Sequence, residues 1–280
     1  MTVRDPSGLT RREFLVTGAA VAGYTLAAGP LRADVISTPA TGLVAGAISI
    51  PVAGREIPGY RAKPASAAKP PVVLVVQEVF GVHEYIRDVC RRLAQAGYLA
   101  VAPDLYVRQG DVSRMTSFEE IRPIVASVPD AQVMSDLDAT AGWAATDGGD
   151  GDRLAITGFC WGGRIVWLYA AHRPKLRAGV AWYGRLAGDK SELQPKFPLD
   201  VVDLLRAPVL GLYGAEDAGI PLDTVERMRA AIAATNNKSR IDVFDAAPHG
   251  FHADYRPSYR EAAAREGWTR MLAWFKANGV

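Results

Sequence analysis

The sequence predicts a doubly wound α/β fold, a mostly parallel sheet with helices on both faces. Three observations carry that prediction. Short apolar runs rich in β-branched residues recur along the chain, as in Pro71–Val76, and such runs mark strands buried on both faces. Between them lie stretches with apolar residues at helical spacing, as in Glu84–Ala96. The alternation of the two runs to the C-terminus without a Pro/Gly/Ser-rich linker or an internal repeat. At 280 residues and 49% hydrophobic, the chain can bury one full core. Residues 34–280 are therefore expected to form one domain.

The elements follow in order. Leu43–Pro51 and Glu56–Lys63 read as a polar-edged hairpin after a Gly/Pro-rich lead-in. Pro71–Val76 is the first buried strand. Glu84–Ala96 places Ile86, Val89, Cys90, Leu93 and Ala94 on one helical face and is stopped by Gly97. Tyr98–Ala102 is a second buried strand, and helical stretches around Phe118–Val125 and Ala131–Ala145 lead to strand Arg153–Phe159. Helix Gly163–Ala171, strand Ala178–Trp182, strand Pro208–Tyr213, helix Leu222–Ala234, strand Arg240–Asp245 and helix Ser258–Ala277 complete the pattern. In sheets of this kind, functional residues collect in loops at the carboxyl ends of strands.

The N-terminus reads as an address. Arg11-Arg12-Glu13-Phe14-Leu15 precedes the alanine- and glycine-rich run Val16 to Ala28, a pattern resembling a twin-arginine export signal. Export to the periplasm by the twin-arginine machinery is expected. The run is too short for a stable membrane span. Leu31-Arg32-Ala33 matches a small-x-small cleavage site poorly, so the leader could remain as an anchor. Residues 1–33 are set aside from the fold. They hold four arginines against Asp5 and Glu13, which leaves the remainder of the chain, 28 basic and 28 acidic residues, neutral. A neutral body has no electrostatic footprint for nucleic acid. There are two cysteines and four scattered histidines, and Cys160 has no second Cys or His at metal-ligand spacing. No metal is expected.

Gly158-Phe159-Cys160-Trp161-Gly162-Gly163 sits where a predicted strand ends and a helix begins. This is the G-x-nucleophile-x-G elbow of the α/β-hydrolase fold, with cysteine where serine usually stands. The turn is tight enough to require glycines, and a helix N-terminus favours the thiolate. A nucleophile needs a base, and the base needs an orienting acid. Asp217 and His249 lie just past later strands, in the chain order nucleophile, acid, histidine. Glu216 is the rival acid and His252 the rival base. His83 and His172 read as solvated or structural. Glu78 follows the five apolar residues Val72–Val76 and Gln77; a carboxylate there is costly unless used or paired. The bland reading is a salt bridge to an arginine such as Arg87.

With these residues assembled, the chain resembles the dienelactone hydrolase family over roughly Leu43 to the C-terminus. The matching stretches are Gln77-Glu78-Val79-Phe80-Gly81, Ala102-Pro103-Asp104-Leu105-Tyr106, the elbow hexapeptide, and the Asp217 and His249 loops. The resemblance implies a Cys160-His249-Asp217 triad and a Glu78 that governs the thiol's protonation and orientation. It also implies an oxyanion hole of the Trp161 and Val79 amides, an unsaturated, carboxylate-bearing lactone as substrate, and no metal or cofactor. The family type grips the substrate carboxylate with two arginines. Here those positions hold Ala253, four residues after the histidine, and Phe118, so Arg122 and Arg256 are the neighbouring substitutes for substrate binding. The expected activity is hydrolysis of a small-molecule ester or lactone through a thioester acyl-enzyme. The rivals are a thioesterase or acyltransferase on the same triad, and a non-catalytic binding protein on the hydrolase scaffold.

Overall fold

The computed structural model describes residues 35–113, 115 and 117–280; the export signal expected in residues 1–33 lies outside them. An eight-stranded sheet organises the chain. Its strands are β1 (Leu43–Val52), β2 (Arg55–Pro64), β3 (Pro71–Val76), β4 (Leu99–Pro103), β5 (Asp150–Phe159), β6 (Ala178–Trp182), β7 (Val209–Gly214) and β8 (Arg240–Phe244), in the spatial order β1-β2-β4-β3-β5-β6-β7-β8. The hairpin β1–β2 is antiparallel and joins β4 antiparallel, with Tyr60 opposite Ala102; from β4 to β8 every pairing is parallel. The continuous apolar runs become the central strands, and β4, β6 and β7 are buried along their whole length.

Among the described residues six helices flank these strands: α1 (Glu84–Gln95), α2 (Phe118–Ala126), α3 (Asp130–Thr146), α4 (Trp161–His172), α5 (Leu222–Ala233) and, after β8, α6 (Glu261–Ala277). Two short 3-10 turns, Pro198–Asp200 and Val202–Leu204, precede β7 and had no periodic signal in the sequence. Strand β6 shows how both sheet faces are covered. Gly179 and Trp182 lie an odd number of residues apart, so they face opposite sides. Val166 of α4 closes over Gly179, while Gly267 of α6 packs on the Trp182 ring. Small residues at these two points let a helix and the sheet meet closely.

Before β1, the segment from residue 35 runs along α1 and is tied to it. The Thr38 amide donates to Asp88 Oδ1, and Arg91 Nε donates 2.9 Å to the Thr38 carbonyl. No helix among the described residues is long and apolar enough to cross a membrane. The carboxyl ends of β3, β5, β6, β7 and β8 converge on one rim of the sheet, and the candidate residues stand in the loops there.

Candidate active site

Cys160 follows the last residue of β5 and precedes α4, with φ 57° and ψ −114°. A non-glycine residue there stores about 1–3 kcal/mol of backbone strain, which persists only where the surroundings impose it. The flanking glycines show how. A Cβ on Gly162 would stand 2.5 Å from the Val76 carbonyl oxygen, and one on Gly158 would meet the Gly162 carbonyl. The corner is thus pressed against the end of β3. The Cys160 amide donates 3.0 Å to the Trp182 carbonyl, and its own carbonyl accepts from Gly163 at 3.0 Å. Trp161 opens α4, so its amide has no intrahelical acceptor. The elbow packs on the Val76 and Gln77 carbonyls, at the end of β3 and two residues before Val79.

The Asp217 and His249 loops complete a line. His249 Nδ1 donates 2.7 Å to Asp217 Oδ2, and Asp217 Oδ1 accepts from the Gly219 amide at 2.9 Å. Two bonds fix the carboxylate, and the carboxylate fixes the ring. Cys160 interacts with the same imidazole. Burial alone would lower the His249 pKa, but Asp217 and the Cys160 sulfur outweigh it and raise it to about 10. The Tyr183 ring meets the imidazole edge-on, with centroids 5.1 Å apart. Glu216, the rival acid, is exposed. His252, the rival base, is buried elsewhere, with Nδ1 2.6 Å from the Tyr85 hydroxyl.

Glu78 is fully buried in a cage of its own. Arg256 Nη2 lies 3.3 Å from Oε1, the Tyr255 hydroxyl donates 2.7 Å to Oε2, and His83 Nε2 stands 3.5 Å from Oε2. Burial raises the carboxyl pKa, yet Arg256, His83 and Tyr255 outweigh it and hold it at about 2. Arg256 in turn donates from Nε to the Tyr255 hydroxyl at 2.8 Å and lies over the Phe80 ring at 4.8 Å. One expectation is corrected here. The arginine facing Glu78 is Arg256, whereas Arg87 donates to the Val82 carbonyl. His83, expected to be solvated or structural, lies half-buried against Glu78. Near the far end of α4, His172 pairs with Asp138 at 2.7 Å, as a structural role implies.

The two arginines offered as substrate contacts have different fates. Arg256 is buried against Glu78, while Arg122 is exposed on α2. Ala253 is buried and the Phe118 side chain half-buried. Tyr85, Tyr183 and Tyr255 were not singled out from the sequence. Tyr85 lies in the first turn of α1 and the other two in loops, and only the fold gathers them around one carboxylate. Among the described residues no group of three or more His, Cys, Asp or Glu side chains could hold a metal ion.

A model of the Dienelactone hydrolase family matches residues 57–279. The chain belongs to the dienelactone hydrolase family. It is a hydrolase with the α/β-hydrolase fold. It is 55% identical over 275 residues to the Methylorubrum extorquens protein named "Putative carboxymethylenebutenolidase", covering 97% of this chain and 94% of that one. The Escherichia coli K12 protein of the same name is 55% identical over 259 residues, 92% of this chain and 96% of its own. A crystal structure of the "Putative Dienelactone Hydrolase" from Klebsiella pneumoniae superposes with a TM-score of 0.82 at 59% identity, covering 84% of this chain and 98% of that one.

Proposed function

We propose that this dienelactone hydrolase family member cleaves carboxylic esters or lactones by transferring the acyl group to Cys160. The observation that carries the reading is the disposition of His249. Its Nδ1 is held 2.7 Å from Asp217, and it meets Cys160 at a strained strand–helix corner.

In the proposed reaction the Cys160 sulfur attacks the ester carbonyl carbon. The oxyanion is received by the amides of Trp161 and Val79, donors that need no reorganisation. The C–O bond breaks as the imidazolium of His249 gives its proton to the leaving oxygen, and a thioester remains. Water then yields a proton to the neutral imidazole and attacks the thioester carbonyl. The collapse releases the acid and the thiolate. Glu78, beside the elbow, sets the protonation and orientation of the thiol, which suits an exported cysteine that must resist oxidation. The scheme calls on no cofactor. Residues 34–280 act as one catalytic domain, delivered to the periplasm by a twin-arginine leader.

The test is mass spectrometry of the protein mixed with a p-nitrophenyl ester. An acyl adduct on the Cys160 peptide, absent from Cys160→Ala along with turnover, is expected. If Cys160→Ala keeps more than about a tenth of the wild-type kcat/KM, the nucleophile is wrong, because losing one costs orders of magnitude. Comparing p-nitrophenyl esters with acyl-thioesters, with and without an alcohol acceptor, separates a hydrolase of esters from a thioesterase or acyltransferase on the same residues.

A further inference from the structure

His252 and Tyr85 are buried polar residues that the proposed reaction does not use. The Tyr85 hydroxyl and His252 Nδ1 are 2.6 Å apart. Burial, reinforced by the Arg92 cation on α1, lowers the His252 pKa to about 3. The ring is therefore neutral at working pH, and Nδ1 and the Tyr85 hydroxyl share one hydrogen bond. Three aromatic neighbours lock the imidazole: Trp182 at 4.5 Å, Phe159 stacked at 5.3 Å and Trp268 stacked at 5.8 Å.

What Tyr85 touches gives this bond a consequence. Its ring lies 5.4 Å from Tyr255 and 5.9 Å, stacked, from His83. Those are the two side chains on Glu78 Oε2. The same ring meets Phe159, the residue before Cys160, at 5.6 Å. Tyr183, which contacts His249, has its hydroxyl in the same group. A single phenol thus backs the Glu78 cage and the nucleophile's strand end. Its hydroxyl is held 2.6 Å from His252 Nδ1 and also meets the Tyr183 hydroxyl. The charged groups facing the pair are Arg92, Asp254 and Glu78, and Arg92 is itself paired with Asp88 and Asp254.

We propose that Tyr85 and His252 form a positioning pair, whose hydrogen bond sets the Glu78 carboxylate against the thiol through Tyr255 and His83. A buried hydrogen-bonded pair of this kind specifies orientation as well as stability. The proposal rests on the acyl-transfer reading above, and it assigns these residues no contact with substrate.

The test uses purified wild type, Tyr85→Phe, His252→Phe and His252→Asn. The readouts are kcat and KM on p-nitrophenyl acetate, and the pH dependence of iodoacetamide alkylation at Cys160. Tyr85→Phe and His252→Phe keep the rings and delete the bond. Each is expected to lower kcat about five-fold or more with KM within about two-fold, a transition-state loss, and to move the alkylation midpoint by about half a pH unit or more. His252→Asn returns a hydrogen-bonding group where Nδ1 stood and is expected to restore the wild-type midpoint even if it melts lower. The proposal is overturned if the Tyr85→Phe alkylation profile superimposes on wild type, or if His252→Asn behaves as His252→Phe. A wild type whose turnover survives blocking of Cys160 would instead sink the acyl-transfer reading, so the two failures are distinguishable.

Discussion

Arg256 stands 3.3 Å from Glu78 across a site where neither side chain is more than 1% exposed. A buried ion pair is weak evidence for net stability, because desolvation consumes most of the Coulomb gain, but breaking one leaves a bare charge in the interior. Here the carboxylate also accepts from Tyr255 and the guanidinium lies on Phe80. The pair is therefore a cage that holds Glu78 ionised, and Arg256 is committed to it.

Glu78→Gln is expected to lower both stability and rate. Removing one partner of a buried pair costs about 3–5 kcal/mol. The sign of the pH effect follows from the carboxyl being held down at about 2. A depressed carboxyl contributes stability that is complete above its unfolded value and is lost as pH falls toward the folded value. A displacement from 4.5 to about 2 corresponds to about 3 kcal/mol. Urea melts at stepped pH values should show a wild-type advantage that is flat above about pH 5 and shrinks below it. An advantage that stays constant into acid would show that the charge on Glu78 does not carry the effect.

Alkylation should separate the two cysteines. Both are free thiols. Cys90 is fully buried on the core face of α1, where burial pushes its pKa far up. Cys160 sits at the rim beside His249. Peptide mapping after iodoacetamide should find Cys160 labelled and Cys90 at least about tenfold slower, as for an inert core thiol. Preferential labelling of Cys90 in the folded protein would contradict the assignment.

The two histidines past β8 should differ by orders of magnitude. His249→Ala removes the group between Asp217 and Cys160 and is expected to cost about 10³-fold or more in kcat/KM. His252→Ala should cost far less, since its ring reaches only Tyr85 and three aromatic neighbours. With His249 held up to about 10, the alkaline fall of wild-type kcat/KM should lie near that value, as the imidazolium that protonates the leaving group is lost. Equal losses in the two variants would move the base three residues along the chain.

How much of this was legible beforehand depended on whether the signal was local. The apolar runs mark the central strands to within a residue or two, except that β5 begins at Asp150, three residues before the expected Arg153. Its first residues, Asp150-Gly151-Asp152, look like a turn, yet they pair beside Pro71 through a register shift. Cys160, Asp217 and His249 were readable because each stands in a strand-end loop with its neighbours in order. The partner of Glu78 was not. Arg256 lies seven residues beyond His249 in an irregular segment, and no periodicity says which of thirty-two basic residues turns inward. The same holds for Tyr255 and His83, whose roles arise from two loops meeting, one after β3 and one after β8.

Gly162→Ala tests the elbow without touching its chemistry. The added methyl would sit 2.5 Å from the Val76 oxygen and 2.6 Å from the Gln77 oxygen, both backbone atoms that cannot swing aside. Either the corner moves or β3 does. A loss of about 3 kcal/mol or more, at the severe end for a single substitution, is expected in a thermal or urea melt. Any folded fraction should be less active, because the Cys160 backbone and the Trp161 amide shift together. Wild-type stability and rate in this variant would mean the corner is not pressed on β3.

The last prediction concerns the charge of the substrate. Arg256 is engaged with Glu78, Ala253 is a buried methyl, and Arg122 is exposed on α2. A charge-assisted hydrogen bond to a substrate carboxylate is worth about 1.5–3 kcal/mol. A site whose buried arginine is committed to Glu78 forgoes that selection, and a carboxylate entering it would compete with Glu78 for Arg256. The methyl ester of a carboxylate-bearing lactone should therefore be hydrolysed at least as efficiently as the free acid. Arg122→Ala should leave both kcat/KM values unchanged. The decisive comparison is acid against methyl ester in wild type, Arg122→Ala and Arg256→Ala. A strong preference for the free acid that collapses in Arg122→Ala would place the carboxylate clamp on α2 after all. A collapse in Arg256→Ala with Glu78→Gln unaffected would mean that Arg256 leaves Glu78 to hold the substrate.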